Sequence, residues 1–470
     1  MPDFDLLVIG AGPGGYPAAV RAARNGLRVA LVEAGKLGGV CLNCGCIPTK
    51  ALAKSAAFVD DGIGYASVHG VRIKNCSFHY SMIVSRKDFI VDKLQKGIDL
   101  LLHQHGVEVI QGRASFESAN RLRVRTPDAE SIVTARNILV ATGSVPAFPS
   151  FLPRSAPNVM DSKTFLSLMS LPKNLIVLGG GVTGVELAGI ALRLGSHVTL
   201  VEQREDILPG VDPDARRLVH TLMSEARPLN AATILTGATL EEIRADGQTV
   251  SGRVAGREIS GDALLYALGR VPCTAKLNLA AAGVQTDAAG AILTDADGAT
   301  NVPGVFAAGD VVSGSRLLAH TATAQGLAAV AKICGEASTA SEMPPPSVIF
   351  AMPEIGQAGL SEAEAVAAGY HVRTGYFPYI ACGKALVEDD TSGFVKWIGD
   401  ADTGAALGAV AAGTHASELI AEAAVVISAG LTLGEVASTI HAHPTLSEMW
   451  REAADAFAGR CVNLPPPKPF

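Results

Sequence analysis

Three cysteines, Cys41, Cys44 and Cys46, stand within six residues of one another, while the other five are scattered along the 470-residue chain. Thiols grouped this closely do redox chemistry or hold a soft metal ion, and the arrangement is unlike the disulfide framework of a secreted protein. Cys41-x-x-Cys44 by itself is a formal thioredoxin-like or metal-ligand pair, although no second pair of ligands stands nearby. Two glycine-rich segments point to a second kind of chemistry. Gly10-Ala11-Gly12-Pro13-Gly14-Gly15 and Gly179-Gly180-Gly181-Val182-Thr183-Gly184 share one glycine spacing, and in each copy an acid, Glu33 or Glu202, lies 23 residues beyond the first glycine. Such glycines permit a tight turn and bring the backbone close to a pyrophosphate, which the free N–H groups at the following helix N-terminus attract. The acid accepts hydrogen bonds from a ribose 2′-hydroxyl. Gly10, Gly12, Gly15 and Glu33 are therefore expected to hold one dinucleotide, and Gly179, Gly181, Gly184 and Glu202 another. The plainer reading is that these glycines only let a helix pack tightly on a strand. A carboxylate at Glu202 repels a 2′-phosphate and favours NAD, while Arg204 leaves NADP open.

These groups need strand–loop–helix–strand units to position them, and the sequence repeats one. Residues 5–9 form an apolar strand entering the first loop, followed by an alanine-rich helix and a strand over 28–32. Residues 175–178 enter the second loop, with a helix and the strand 197–201 behind it. Between the copies, residues 85–105 read as an amphipathic helix with Ile90, Leu94, Ile98 and Leu101 on one face. Short alternating strands are expected over 108–133 and a buried one over 137–140. Strands over 264–270 and 305–310 follow, then a helical segment from about His320. Met343-Pro344-Pro345-Pro346 marks a linker, after which strands and helices alternate to Gly459. The tail 464–470, with four prolines, reads as extended and exposed.

Apolar residues make up 48% of the chain and charged residues 18%, so several buried cores are possible and global disorder is excluded. A net charge of −7 argues against nucleic acid as the main partner. The first positive residue is Arg21, so no signal peptide is expected. With no uninterrupted apolar run of eighteen residues, no membrane span is expected either. With its clustered cysteines, the chain reads as cytoplasmic.

The segment Gly38-Gly39-Val40-Cys41-Leu42-Asn43-Cys44-Gly45-Cys46-Ile47-Pro48-Thr49-Lys50 resembles the redox-active segment of the pyridine nucleotide–disulfide oxidoreductases, most closely their dihydrolipoamide dehydrogenase branch. The resemblance implies that Cys41 and Cys46 form the active disulfide, with Cys41 exchanging with a dithiol and Cys46 against a flavin. It also puts Lys50 near the flavin, paired with Glu186 behind the second glycine loop. A positive neighbour and a helix N-terminus favour the thiolate such chemistry needs. Cys44 departs from the family, which usually has an aliphatic residue there, and is read as buried and inert. The resemblance runs in order over essentially the whole chain. Gly112-Arg113-Ala114 matches a segment whose backbone touches FAD. Ala141-Thr142-Gly143-Ser144 and Ala308-Gly309-Asp310 match further FAD contacts, with Asp310 reaching the ribityl chain; alone, Asp310 could equally be a helix N-cap. Leu317-Leu318-Ala319-His320 matches the segment under the isoalloxazine ring, where His320 could also be a plain helix residue. Ala267-Leu268-Gly269-Arg270-Val271-Pro272 resembles the nicotinamide-domain strand. In Ile440-His441-Ala442-His443-Pro444-Thr445-Leu446-Ser447-Glu448 the resemblance makes His443 the acid–base and Glu448 its orienting partner, with His441 structural. Cys382 stands where the family usually has asparagine.

The fold so implied is α/β: two Rossmann-like dinucleotide-binding domains, for FAD (1–147) and NAD (148–272), a central domain completing the FAD site (273–343), and a C-terminal α+β interface domain (344–470). The activity implied is oxidation of a protein-bound dihydrolipoyl group with NAD, served to a lipoylated carrier protein or a 2-oxoacid dehydrogenase complex. His443 of one subunit would face the cysteines of another, which implies a homodimer. The rival readings are a glutathione- or mercuric-reductase-like enzyme and a flavin-binding sensor subunit without turnover. A glutathione reductase would prefer arginines after the second acid position, where Glu202 stands, and a mercuric reductase a vicinal cysteine pair near the C-terminus, where only Cys461 stands; the intact set of Cys41, Cys46, His443 and Glu448 speaks against a subunit without turnover.

Overall fold

Leu6, Leu7, Val8 and Ile9 are all buried, an unbroken apolar run suited to a parallel strand covered on both faces. They lie in β1 (Phe4–Ile9), and the chain returns through α1 (Tyr16–Arg24) to β2 (Val29–Glu33), parallel to β1 with Leu6 beside Val29. This computed structural model describes residues 2–64, 66–74, 77–225, 230–337 and 344–465; Met343 of the linker and residues 466–470 of the tail lie outside them. Next come α2 (Gly39–Cys44), α3 (Cys46–Gly64) and α4 (Tyr80–Gln104), the last starting ahead of the expected Ser85. The sequence pattern puts Ile90, Leu94, Ile98 and Leu101 on its inner face. The buried line instead runs through Val84, Lys87, Val91 and Leu102, and Leu94 is exposed. The two lines are neighbours on the helix surface, and packing against α3 selects between them. Lys87 can sit on the inner line because its ammonium donates to the Leu166 carbonyl.

The strands β3 (Glu108–Gln111), β4 (Arg113–Ser118), β5 (Arg121–Arg125) and β6 (Glu130–Val140) complete a sheet in the order β3-β2-β1-β6-β5-β4. The expected gap between 133 and 137 is absent. No glycine or proline interrupts Thr134-Ala135-Arg136, so β6 runs on, antiparallel to β5 at its start and parallel to β1 at its end.

The second unit repeats the first. After β7 (Ser144–Pro146), β8 (Val159–Met160) and α5 (Ser162–Phe165) come β9 (Asn174–Leu178), α6 (Val182–Arg193) and β10 (His197–Val201). Then follow α7 (Pro213–Ser224), β11 (Thr233–Leu235), a meander of β12 (Glu241–Ala245), β13 (Val250–Val254) and β14 (Arg257–Gly261), and β15 (Ala263–Tyr266). The parallel sheet is ordered β11-β10-β9-β15-β8. The strand expected over 264–270 is two: β15 stops at Tyr266, and β16 (Arg270–Pro272) crosses to pair antiparallel with β7.

The chain then returns to the first sheet. Leu277, Ile292 and Val311 share a core with Leu7 and Val140, and β17 (Val305–Ala307) lies parallel to β6. Next, α8 (Ala319–Ile333) packs on α1 so closely that a Cβ on Gly326 would stand 2.2 Å from the Gly14 carbonyl oxygen. The last unit contains β18 (Ser347–Ile349), β19 (Ile355–Gly359), α9 (Glu362–Ala367), β20 (Val372–Pro378), α10 (Gly383–Val387), β21 (Phe394–Asp400) and β22 (Ala406–Ala412). Its antiparallel sheet, β18-β19-β22-β21-β20, is followed by α11 (Ala416–Ser428), α12 (Leu433–Ser438) and α13 (Glu448–Phe457). At its centre the rings of Trp397 and Trp450 lie 4.7 Å apart, and each indole N–H donates to a carbonyl. Among the described residues no helix is long and apolar enough to cross a membrane.

The second and last units meet at a buried cation. Lys396 on β21 is 4% exposed, and its ammonium lies 2.6 Å from Asp212, 3.1 Å from Asp214 and 2.8 Å from Glu362. Lys396→Met would keep the packing volume but leave the buried Asp212 carboxylate without its cation, at a cost of about 3–5 kcal/mol, while the exposed Asp214 keeps Arg217 at 3.1 Å. The expected result is a thermal midpoint several degrees lower; a midpoint within about 2 °C of wild type would show that water already neutralises the cluster.

Candidate active site

The outer glycines of both loops answer to the chain's own atoms. Gly10 has a φ of 102°, and a Cβ on it would stand 2.5 Å from the Ala141 carbonyl oxygen; one on Gly15 would stand 1.9 Å from the Gly10 oxygen. Gly179, with a φ of 109°, and Gly184 repeat this at 2.6 Å from Ala267 and 1.9 Å from Gly179. The middle glycines are different. A Cβ on Gly181 would meet nothing within 4 Å, and one on Gly12 only the Cα of Gly39 at 3.8 Å. Strand–helix packing therefore accounts for the first and third glycine of each loop and not for the second. A pyrophosphate drawn up to the loop amides does account for it, and the site fits two dinucleotides. Each acid also closes its own loop. Glu33 accepts from the amides of Ala11 and Gly35, both at 2.7 Å, and Glu202 from those of Gly180 and Arg204 at 2.6 and 2.8 Å. Each carboxylate oxygen retains lone pairs for a ribose hydroxyl.

The redox segment is seated on the first loop, since a Cβ on Gly39 would stand 2.6 Å from the Cα of Gly12. Cys41 lies in α2, Cys46 opens α3, and the two are joined as a disulfide with Cα atoms 4.6 Å apart. Cys46 thus occupies the positive end of a long helix. Asn43 stitches the segment together, its amide donating to the carbonyls of Leu37 and Gly39 at 2.8 and 2.9 Å. Cys44 stays a free, half-buried thiol that burial pushes up, so Cys41-x-x-Cys44 is not the pair. One turn into α3, Lys50 donates to both oxygens of the buried Glu186, at 3.1 and 2.9 Å. The ammonium lies 4.6 Å from the Phe350 ring centroid, and the Phe350 amide donates to the same carboxylate at 2.8 Å. No pattern in the sequence singled out Phe350; its role exists only because the last unit folds back here.

A second network crosses from β7 to β16. Ser144 Oγ donates to Asp310 at 2.5 Å, and Arg270 donates to the hydroxyl and the carbonyl of Ser144, both at 2.7 Å. Asp310 caps no helix, because α8 begins only at Ala319 with Leu318 as its cap. Arg270, read from sequence as part of a nicotinamide-side strand, instead braces the predicted flavin contacts. Thr142 Oγ1 donates to the Cys273 carbonyl at 3.0 Å, and a Cβ on Gly143 would face open space. Ala114 is buried in β4. Leu317 and Leu318 lead into α8, where His320 Nε2 lies 2.7 Å from the Pro346 carbonyl oxygen and ties the helix to the last unit.

The predicted acid–base pair is also formed. His443 Nδ1 lies 3.0 Å from Glu448 Oε1, and the other carboxylate oxygen accepts the Thr445 amide at 2.8 Å. Burial pushes the Glu448 carboxyl up, but the Thr445 amide and the His443 contact outweigh it and hold the carboxyl below its ordinary value. The His443 ring is 79% exposed, and its hydrogen-bond partner belongs to its own segment rather than to the cysteine region. Within one chain, these two halves of the predicted chemistry stay apart.

Comparison with known proteins agrees with this arrangement. Residues 4–326 match the family described as pyridine nucleotide-disulphide oxidoreductase, and residues 345–454 match the dimerisation domain of that family. The dihydrolipoyl dehydrogenase of Bacillus subtilis is 37% identical over 465 residues, 98% of each chain. That of Thermus scotoductus is 40% identical over 470 residues, 99% of each. Among solved structures, LpdA from Mycobacterium tuberculosis matches with a TM-score of 0.89 at 28% identity, covering 96% of this chain and 98% of that one. The HOCl-induced flavoprotein disulfide reductase RclA from Escherichia coli matches with a TM-score of 0.86 at 28% identity, covering 97% of this chain and 99% of that one.

The two kinds of glycine make a direct test. Gly184→Ala should not fold its loop, because the new methyl collides with backbone. Gly181→Ala should melt like wild type yet bind NADH about tenfold or more weakly, because the methyl holds the phosphates off the amides. Unchanged NADH affinity in a folded Gly181→Ala protein would return the middle glycine to packing.

Proposed function

Because the chain belongs to the pyridine nucleotide-disulphide oxidoreductase family, we propose that it oxidises protein-bound dihydrolipoyl groups to lipoyl with NAD. It is a flavoprotein disulfide oxidoreductase of the dihydrolipoyl dehydrogenase type, with FAD and NAD as cofactors. The observation that carries this reading is the Cys41–Cys46 disulfide seated on the first dinucleotide loop, with Lys50 of the same helix paired to Glu186 behind the second. FAD would be held by Gly12, Glu33, Ala114, Thr142 to Ser144, Asp310 and residues 317–320, and NAD by Gly181 and Glu202. When bound, FAD relays the electron pair from the enzyme dithiol to the nicotinamide.

The chain's own residues do the thiol chemistry. A substrate thiol loses its proton to His443, which Glu448 holds in orientation, and the thiolate attacks Cys41. The Cys41–Cys46 bond breaks, and its electron pair leaves on Cys46, where the helix N-terminus and the nearby Lys50 stabilise the thiolate. His443 then passes the first proton to Cys41 as it takes the second substrate thiol's proton; that thiolate attacks the substrate sulfur of the mixed disulfide, and Cys41 leaves as a thiol, with Cys46 a thiolate and one proton on His443. Two electrons and two protons have passed to the enzyme, and the lipoyl disulfide departs.

The dimerisation-domain match and the exposed His443 support a homodimer in which each histidine serves the partner's cysteines. The proposed substrate carrier is a lipoylated protein of a 2-oxoacid dehydrogenase complex or a related system, in the cytoplasm. The proposed division is an FAD domain (1–147), an NAD domain (148–272), a central segment (273–343) and an interface domain (344–470). A mercuric-reductase-like role is disfavoured by Cys461, a single thiol pushed up to about 11 by burial and by Glu452.

His443→Gln should cut dihydrolipoamide turnover by roughly 10² to 10⁴, the worth of a positioned base, while NADH oxidation by an artificial acceptor largely survives. Mixing inactive His443→Gln and Cys41→Ser chains under subunit exchange should restore activity, since one site of each heterodimer is then wild type. Verified heterodimers that stay inactive would rule out the shared site. NAD should be preferred over NADP by about tenfold or more, a carboxylate against a phosphate costing over 1 kcal/mol. Equal kinetics with both cofactors would mean that Glu202 does not face the ribose.

A further inference from the structure

The exposed ring of His443 cannot fix its own position, so the segment that carries it must be held from elsewhere. His441, two residues earlier, has a side chain that is 7% exposed and has both ring nitrogens engaged. Its Nδ1 lies 3.1 Å from the Thr439 carbonyl oxygen, and its Nε2 lies 2.7 Å from Oε1 of Glu422 on α11. A carbonyl oxygen only accepts, so Nδ1 must carry a proton. An ionised carboxylate also only accepts, so Nε2 must carry one too, unless the carboxyl supplies it. Either way, the pair holds one proton more than a neutral imidazole beside a carboxylate. Without that proton, a ring lone pair would face a carboxylate oxygen at hydrogen-bond distance, and the contact would turn from attractive to repulsive.

We propose that His441 and Glu422 form a proton-dependent clamp that positions the segment bearing His443 for its work on the dithiol. The proposal rests on the base role of His443 given above. The far side of the segment is held by the Glu448 carboxylate, which accepts the Thr445 amide at 2.8 Å, and by neutral contacts: Cys382 Sγ lies 3.7 Å from the Thr445 carbonyl oxygen, Thr445 Oγ1 donates to Ala442 at 2.7 Å, and Leu446 is buried. The near side has the clamp. Three ionisable groups bear on His441: Glu422 in direct contact, Glu448 from α13, whose carboxyl His441 helps to hold low, and His443 on the same segment. The Glu422 side chain is 35% exposed, so the shared proton can exchange with solvent. His441 touches no reacting atom in this scheme; it is a positioning residue.

The two histidines then govern opposite sides of the pH profile. His443 must be neutral to take a proton, so added acid works against it. The His441–Glu422 contact needs the proton between the two groups, so its removal by base opens the clamp. Direct NADH oxidation by an artificial acceptor uses neither.

The test compares pH profiles of dihydrolipoamide turnover and of acceptor reduction in the FAD-loaded dimer, for wild type, His443→Gln, His441→Ala and Glu422→Gln. His441→Ala should lose about 10- to 100-fold in dihydrolipoamide kcat, as expected for a base displaced by an ångström or so, with acceptor reduction within about twofold of wild type. In Glu422→Gln the amide N–H can donate to a neutral Nε2, so the clamp closes without the extra proton. That variant should keep turnover within about threefold and lose the alkaline fall or move it to higher pH. Wild-type turnover in His441→Ala, an equal loss of both activities there, or an unmoved alkaline limb in Glu422→Gln would each overturn the clamp. An inactive His443→Gln beside an unaffected His441→Ala would overturn the clamp alone. A His443→Gln enzyme that still turned over the dithiol would overturn the base role and the clamp with it.

Discussion

Lys50 stands one turn into the helix that Cys46 opens, and its ammonium meets Glu186, early in the helix behind the second glycine loop. The Phe350 amide, just past the first strand of the last unit, donates to the same carboxylate. A carboxylate with only 6% of its side chain exposed would be costly to desolvate alone, and here it accepts two bonds from the ammonium and one from an amide. These bonds hold three parts of the chain at one point: the redox segment, the nicotinamide-side helix and the entry to the dimerisation domain. Moving one would expose or strand the charge of another. The same ammonium also keeps a positive charge on the helix whose N-terminus carries the disulfide.

Around that point, the backbone closeness of the glycine loops does the positioning. In each copy the third glycine lies against the carbonyl of the first, which leaves no room for any side chain and sets where the helix starts. The acid at the end of the second strand then accepts a loop amide, so the glycine loop and the carboxylate are one hydrogen-bonded unit. The first copy has an added duty: Gly39 presses on Gly12, so the disulfide inherits its position from the loop expected to hold the flavin's pyrophosphate. Ser144, Arg270 and Asp310 brace the opposite side by joining β7, β16 and the turn after β17. The residues expected to hold the flavin thus come from segments far apart in the chain, each anchored by backbone or charge.

The acid–base side is built differently. His443 is aimed by Glu448 but left in solvent, on a segment pinned through His441, Thr445 and Leu446 rather than through its own ring. An exposed histidine beside the nearly fully exposed Ile440 is a poor end state for a lone chain and a sensible one for a surface that meets a second copy. Disulfide and base are each rigidly held in one chain, and dimerisation is what would bring them together.

The sequence alone determined two strand–loop–helix units with acids at matched spacing, because these depend on neighbours along the chain; the pairing of Cys41 with Cys46 and of His443 with Glu448 was implied by the family resemblance of short contiguous segments. Tertiary structure decided the rest. Periodicity could not choose between adjacent lines on α4, because the surface it packs against comes from elsewhere in the chain. The strand expected over 264–270 broke into two because its second half pairs with β7, more than a hundred residues earlier. Asp310 looked like a possible helix cap until Ser144 and Arg270 were seen against it, and Phe350 had no signature at all. His441 read as merely structural, since nothing in the sequence pairs it with Glu422; the fold does that, by carrying the chain from α11 through α12 back against α11.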